Sequence, residues 1–192
     1  MSNYFNQILR TSIQKVRKRL NADYQQLASD KIGKNIEQLH VYQEAKHIAF
    51  YHAFNGEPNL NTIWINSIKK QKLCYFPILK DNQTLSFIPA TSETTWHPNR
   101  FGIQEPESLK QDPIEPNTID LMFVPLVAFD RFGGRLGMGA GYYDKTLAPK
   151  KPKCLIGIAY DFQRQIILSQ HAQDISLNAI VTPSQIYWSP KV

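Results

Sequence analysis

Leu121-Met-Phe-Val-Pro-Leu-Val-Ala-Phe129, Asp130, then Arg131-Phe-Gly-Gly-Arg-Leu-Gly-Met-Gly-Ala-Gly-Tyr-Tyr-Asp-Lys145 is the run that decides how this chain folds. Its first part is almost entirely apolar and of buried-strand length. The part from Arg131 onward holds five of the chain's nine glycines, two arginines, two adjacent tyrosines and Asp144. A buried strand that empties into a glycine-rich turn and then a helix is a common way to present backbone amides to a phosphate. The plainer reading is a tight connection whose glycines serve only positive φ. Gly137, Gly139 and Gly141 alternate between Arg135 and Asp144, which is more than a turn requires.

Working outward, apolar strands alternate with helical periods. Phe5, Ile8, Leu9, Ile13, Val16 and Leu20 predict a helix over about 4–20 with a basic opposite face. Asn21 and Asp23 can stop it and cap a second helix, running to about Leu39 through Leu27, Ile32 and Ile36; Gly33 argues against that second helix. Strands are predicted at 47–54, ended by Asn55-Gly56, at 72–79, at 85–89 after an Asp81-Asn82 turn, at 119–129, at 154–160 and last at 179–182, stopped by Pro183. Helices are predicted over 60–70 and from Gly141 to about Leu147. Residues 91–118 are proline-rich and irregular, and long ordered loops are often functional. Continuous apolar strands separated by helices argue for an α/β domain, residues 1–192, with a mainly parallel sheet covered on both faces.

The net charge of +6 comes from clusters at Lys15, Arg17, Lys18 and Arg19, at Lys69, Lys70 and Lys72, and at Lys150, Lys151 and Lys153. These read either as a solvated basic surface or as attraction for polyanions. No window is long and apolar enough to span a bilayer, and the first residues lack a signal-peptide pattern. Cys74 and Cys154 sit inside apolar runs and read as buried free thiols in a reducing cytosol.

The usual nucleotide fingerprints fail. Tyr142 occupies the third glycine position of the dinucleotide motif, and Asp144 stands where a P-loop needs glycine. The five histidines have no zinc spacing, with His47 and His52 on opposite faces of a strand, and no serine sits in a G-x-S-x-G elbow. A less standard phosphate site remains: alternating glycines, Arg135 as a planar cation, and Asp144 able to hold Mg²⁺ alongside phosphate oxygens. Glu57, after Asn55-Gly56 at the end of the first strand, lies at the sheet edge where ligands bind, and can accept hydrogen bonds from an amine- and amide-bearing ring. The alternative is an exposed loop glutamate.

Val124-Pro-Leu-Val-Ala-Phe-Asp130 followed by Arg135-Leu-Gly-Met-Gly-Ala-Gly-Tyr-Tyr-Asp144 closely resembles the signature of the 5-formyltetrahydrofolate cyclo-ligases, also called methenyltetrahydrofolate synthetases. Asn55-Gly-Glu57, Phe101-Gly-Ile-Gln-Glu-Pro106 and Val181-Thr-Pro183 look like further landmarks. The resemblance implies a three-layer α/β/α fold like that of sugar-phosphate isomerases and CoA transferases. It also implies ATP- and Mg²⁺-dependent closure of 5-formyltetrahydrofolate to 5,10-methenyltetrahydrofolate, with release of ADP and phosphate. Separately, the chain is expected to be cytoplasmic and a monomer, although the sequence itself does not reveal its oligomeric state. Carried over, Arg10, Arg135, Leu136, Gly137, Met138, Gly139, Ala140, Gly141, Tyr142 and Tyr143 would bind ATP. His52, Glu57, Phe101 and the Met138–Tyr142 edge would bind folate, Asp144 would hold Mg²⁺, and Arg135, Tyr142 and Asp144 would be the catalytic group. Three positions depart from relatives: Asn6 replaces a lysine, Ala140 or Met138 a basic residue, and Asn178 a second acidic Mg²⁺ ligand.

Two rivals stand beside this reading. A nucleic-acid-binding module would interleave aromatics with its basic clusters, and those at 15–19 and 150–153 contain none. A relative with the same loop but another substrate would not need Glu57 and Phe101.

Overall fold

The computed structural model describes residues 2–107, 112–169 and 174–190. Among the described residues, five α-helices, α1 (Ser2–Arg17), α2 (Ala22–Glu37), α3 (His40–Glu44), α4 (Asn61–Lys69) and α5 (Tyr142–Leu147), accompany eleven short strands. Seven strands make the central sheet: β1 (His47–Ala49), β2 (Leu73–Leu79), β3 (Leu85–Pro89), β6 (Leu121–Pro125), β9 (Cys154–Ile158), β10 (Ala179–Val181) and β11 (Ile186–Trp188). Their order is β11-β10-β9-β6-β1-β2-β3, with β10, β9, β6, β1 and β2 parallel and the two edge strands antiparallel. Two hairpins stand apart from it, β4 (Trp96–Pro98) with β5 (Gln104–Pro106) and β7 (Ala128–Phe129) with β8 (Arg135–Leu136).

The strands are apolar on both faces because both faces are covered. Ile48, Phe50, Cys74, Phe76, Leu121 and Phe123 pack beneath Ile32, Ile36, Ile63 and Trp64 of α2 and α4. The alternate residues Ala49, Tyr75, Met122, Val124, Leu155 and Ile180 pack against Leu147 of α5 and the extended stretch holding Ile175 and Leu177. The second covering layer is therefore thin, with one six-residue helix. Gly33 does not break α2; it admits Ile63 of α4, whose Cδ1 lies 3.2 Å from where a Cβ would stand. Gly157 does the same in the middle of β9, beneath Leu126 and Leu177. Both cysteines are free and buried, and burial pushes Cys74 up to about 12 and Cys154 to about 11, so both stay protonated thiols.

Several expected elements differ. The strand expected over 47–54 ends at Ala49, because the chain then peels away from the ladder to build a turn. The strand expected over 119–129 breaks after Pro125. There the carbonyls of Leu126 and Val127 accept hydrogen bonds from Gln163 Nε2, both 2.8 Å, instead of from a strand. β11 was hidden by its length of three residues behind Pro183. The irregular stretch 91–118 contains the β4–β5 hairpin, and its residues 108–111 lie outside the described residues.

The largest difference is in α1. Its apolar positions Phe5, Ile8 and Val16 face outward, 45–57% exposed, while Asn6, Ile13 and Arg17 are buried and Arg10 is half-buried. Residues 6, 10, 13 and 17 are one helical stripe, and it is mostly polar. Arg17, read as part of a basic cluster that is either solvated surface or a site for polyanions, is fully buried instead. A polar stripe turns inward here because the helix covers a cavity and not the hydrophobic core.

Candidate active site

The cavity occupies about 520 Å³ at the C-terminal ends of β1 and β6, closed by α1, the glycine loop and the β4–β5 hairpin. Brought together on its wall are Asn6, Arg10, His52, Glu57, Phe101, Arg135, Leu136, Gly137, Met138, Gly139, Ala140, Gly141, Tyr142, Tyr143 and Asp144. Residues separated by more than a hundred positions thus share one volume.

One wall is the glycine loop. Asp130, 1% exposed, launches it: Oδ1 accepts the amides of Phe132 and Gly134, both 2.9 Å, and Oδ2 accepts that of Leu168 at 2.9 Å. β8 follows, and then Gly139 at φ +104° and Gly141 at φ +72° take left-handed conformations that other residues rarely adopt. No described backbone carbonyl takes the amides of Met138, Gly139 or Ala140, so they are available to an anion. α1 braces the loop from the other side: Arg10 Nε donates to the Gly137 carbonyl at 2.9 Å and Gln14 Nε2 approaches Met138 Sδ at 3.3 Å.

Arg135 and Asp144 form an ion pair, Nη2 to Oδ1 at 2.5 Å, with Arg135 nearly buried and the Asp144 side chain 30% exposed. Asp144 Oδ1 also accepts the Ile175 amide at 3.1 Å. Arg135 Nε is buried with no hydrogen-bond partner among the described residues, and so is Asn6 Oδ1. Buried polar atoms without partners are uncommon, and on a cavity wall they point to a ligand.

The opposite wall follows β1. Asn55 at φ +50° and Gly56 at φ +72° make a turn that swings Glu57 back, and its Oε2 accepts the Phe54 amide at 3.0 Å. Glu57 is 7% exposed, not the open loop residue of the alternative reading. Burial pushes its carboxyl up to about 7, opposed by the Arg17 guanidinium 3.5 Å away and by the Phe54 amide. His52 lies flat on Phe76, ring centroids 4.7 Å apart, and edge-on to Trp96 at 4.3 Å. Burial lowers its pKa to about 4, so it is neutral at pH 7.

The β4–β5 hairpin forms the roof. Asn99 Oδ1 holds its tip by accepting the amides of Phe101 and Ile103 at 2.9 and 3.1 Å. Glu105 Oε1 anchors it to β2 through the Leu79 amide at 2.9 Å. Phe101 is 49% exposed over the cavity, and the neighbouring Arg100 donates to the Tyr142 hydroxyl at 2.5 Å.

Asn178 is not part of this site. Its Oδ1 accepts the Leu155 amide at 2.7 Å and its amide donates to the Leu155 carbonyl at 2.8 Å, clamping the N-terminal end of β9. The acidic residue that does reach the cavity is Asp174, four positions earlier. Sequence reasoning also missed Arg17; a basic residue on the same helical stripe as Arg10 was the signal that could have found it. For a magnesium ion the donor set fits: two carboxylates, Asp144 and Asp174, on the wall beside a loop of open amides match a cation that takes few protein ligands and completes its shell from phosphate and water. No group of three or more His, Cys, Asp or Glu forms a dedicated metal cage among the described residues.

The profile of the 5-formyltetrahydrofolate cyclo-ligase family matches residues 4–183. The Haemophilus influenzae 5-formyltetrahydrofolate cyclo-ligase is 35% identical over 181 residues, covering 92% of this chain and 97% of its own. The Escherichia coli K12 enzyme of the same name is 33% identical over 151 residues, 73% of this chain and 79% of its own. Among solved structures, the 5,10-methenyltetrahydrofolate synthetase of Aquifex aeolicus superposes with a TM-score of 0.85 at 28% identity, over 97% of this chain and 94% of that one. That of Mycoplasma pneumoniae gives 0.72 at 27% identity, over 93% and 98%. The chain belongs to the 5-formyltetrahydrofolate cyclo-ligase family and is an enzyme of that class.

Proposed function

From that membership we propose that the chain converts 5-formyltetrahydrofolate to 5,10-methenyltetrahydrofolate, consuming ATP with Mg²⁺ and releasing ADP and phosphate. The observation that carries this is a single cavity whose two walls have different chemistry, open glycine-loop amides with Arg135 on one and the buried Glu57 carboxylate on the other.

The reaction needs both. A formamide oxygen is a poor leaving group. Its attack on the γ-phosphorus of ATP forms an O–P bond, releases ADP and leaves a phosphorylated formyl group on nitrogen 5. Nitrogen 10 then attacks the formyl carbon and loses its proton, and phosphate departs with the former formyl oxygen. Little covalent chemistry falls to the protein, which positions two ligands and offsets phosphoryl charge. The amides of Met138 to Ala140 and the Arg10 and Arg135 guanidiniums supply fixed donors that need no reorganisation. Tyr142, tied to the roof through Arg100, closes the seam between the two ligands. Asp144 and Asp174 would hold the magnesium ion, which neutralises phosphate charge when bound. The Ala140 and Met138 side chains add no cation there. Glu57 accepts from the pterin amine and amide, His52 lies beside it, and Phe101 covers the flat ring.

The same reading takes residues 1–192 as one domain of the sugar-phosphate isomerase and CoA-transferase type, with α1 and the helices of the two faces as its outer layers. It acts as a cytoplasmic monomer on two small molecules, without nucleic acid or membrane. No helix among the described residues is long and apolar enough to cross a membrane.

The test is direct. Purified protein is mixed with 5-formyltetrahydrofolate and Mg-ATP, and methenyltetrahydrofolate is followed by its near-ultraviolet absorbance. An ATP-dependent rise is expected; its absence overturns the function.

A further inference from the structure

Arg17 lines neither ligand wall. It stands behind Glu57, fully buried, and its guanidinium reaches three segments at once. Nε donates to the Asn55 carbonyl at 3.1 Å, Nη1 donates to the Leu126 carbonyl at 3.2 Å, and Nη2 lies 3.5 Å from Glu57 Oε1. A rigid planar fork spreads its donors over three nitrogens held in one plane, whereas an ammonium presents all three from a single atom. The backbone is shaped around this residue: at Gly56 a Cβ would stand 2.7 Å from the Arg17 carbonyl oxygen.

A carboxylate buried as deeply as Glu57 gives up its charge unless something holds it. The groups that face it are Arg17 from α1, Tyr51 and the Phe54 amide from the segment after β1, Tyr143 from α5 and Tyr160 from beyond β9. The three tyrosines are neutral, their hydroxyls pushed up by burial. Arg135 faces Tyr143 and Asp144 instead. Among the described residues, Arg17 is therefore the cation that sustains a Glu57 anion.

We propose that Arg17 is a positioning residue for the folate half of the reaction. It favours the anionic form of Glu57 and ties that carboxylate to the Leu126 carbonyl, just before the hairpin that carries the glycine loop. The proposal rests on Glu57 being the pterin contact.

The Arg17→Met variant tests it. Without the guanidinium the Glu57 carboxyl holds its proton to higher pH, so the anionic form appears only in more alkaline solution. The pH at which folate kcat/KM reaches half its plateau should rise by roughly one unit or more. Near neutral pH the folate KM should rise about tenfold and recover above that range, with the ATP KM little changed. Arg17→Lys keeps the charge without the fork and should give an intermediate shift. If kcat and both KM values worsen together with an unmoved pH profile, Arg17 is only structural and the inference fails. Should Arg17→Met not fold, thermal melts of Glu57→Gln and of the double variant decide. Glu57→Gln removes the charge that Arg17 faces, so Arg17→Met should cost less stability in that background than in wild type; additive losses overturn the coupling. An unchanged folate KM in Glu57→Gln defeats the pterin reading itself. A raised KM there, with an unshifted Arg17→Met profile, defeats Arg17 alone.

Discussion

Two carboxylates sit at opposite ends of the same parallel strands and are treated in opposite ways. Asp120, just before β6, is drawn toward its partners. Burial pushes its carboxyl up, but the Lys153 ammonium at 2.7 Å and the amides of His47 and Lys46 at 2.9 Å outweigh it and hold it at about 2. Glu57, beyond the end of β1, is held at about 7 by burial that one guanidinium does not offset. At the N-terminal end Asp120 and Asn178 both have their hydrogen-bond partners. At the C-terminal end Asn6 Oδ1, His52 Nε2 and Arg135 Nε are buried without partners among the described residues. The contrast separates a carboxylate that stabilises the protein from one that the protein strains to keep, and perturbed groups in a cleft mark function.

Breaking the contrast should hurt most at Asp144. Asp144→Ala should lower kcat by about a thousandfold through loss of the carboxylate that would hold the magnesium ion, and by stranding the nearly buried Arg135 guanidinium it should also lower the melting temperature of a protein that still folds. Normal kinetics would remove Asp144 from the mechanism. Next, Glu57→Ala should raise the folate KM about 10- to 100-fold and the ATP KM far less; equal effects would contradict its role. Glu57 also leaves a mark on stability. Its folded pKa of about 7 lies above the ordinary 4.5, so the folded state holds a proton that the unfolded chain has released. Stability is lost as pH rises from about 4.5 through 7, by on the order of 3 kcal/mol. Melts of wild type against Glu57→Gln across that range should diverge toward alkaline pH.

Asp120 should behave the other way. Its stabilisation is present above pH 3.8 and lost as pH falls through about 2, about 1 kcal/mol once solvent screening of the exposed Lys153 ammonium is allowed for. Asp120→Asn should therefore melt lower at neutral pH, converge with wild type in strong acid, and keep its kcat and both KM values. Smallest of all, Phe101→Ala should raise the folate KM about fivefold, since a half-exposed ring contributes one stacking face.

Much of this was legible in the sequence. The sheet showed because strands buried on both faces are apolar at every position, and the glycine loop because left-handed backbone selects glycine at Gly139 and Gly141. The orientation of α1 was not legible. Apolar periodicity says which face of a helix avoids water in an ordinary domain, whereas here Asn6 and Arg10 face a cavity, Arg17 is buried behind its wall, and Phe5, Ile8 and Val16 are left outside. Arg17 was hidden for the same reason, inside a run of lysines and arginines. Asp174 was overlooked in favour of Asn178 because a shift of four positions moves a residue from the cavity to the far end of the sheet, and spacing alone does not fix where an extended segment turns.

Gly157 carries a consequence for how the enzyme would fail. An added Cβ would stand 2.6 Å from Leu126 Cδ2 and from Leu177 Cδ1, and Leu126 is the residue whose carbonyl Arg17 grips. Gly157→Ala should cost about 1–3 kcal/mol through overpacking, a few degrees to about ten in melting temperature. Such a substitution lies off the cavity wall, yet its damage reaches the Leu126 segment behind Glu57 first. It should yield a heat-sensitive enzyme, competent in the cold and failing on warming before the sheet melts.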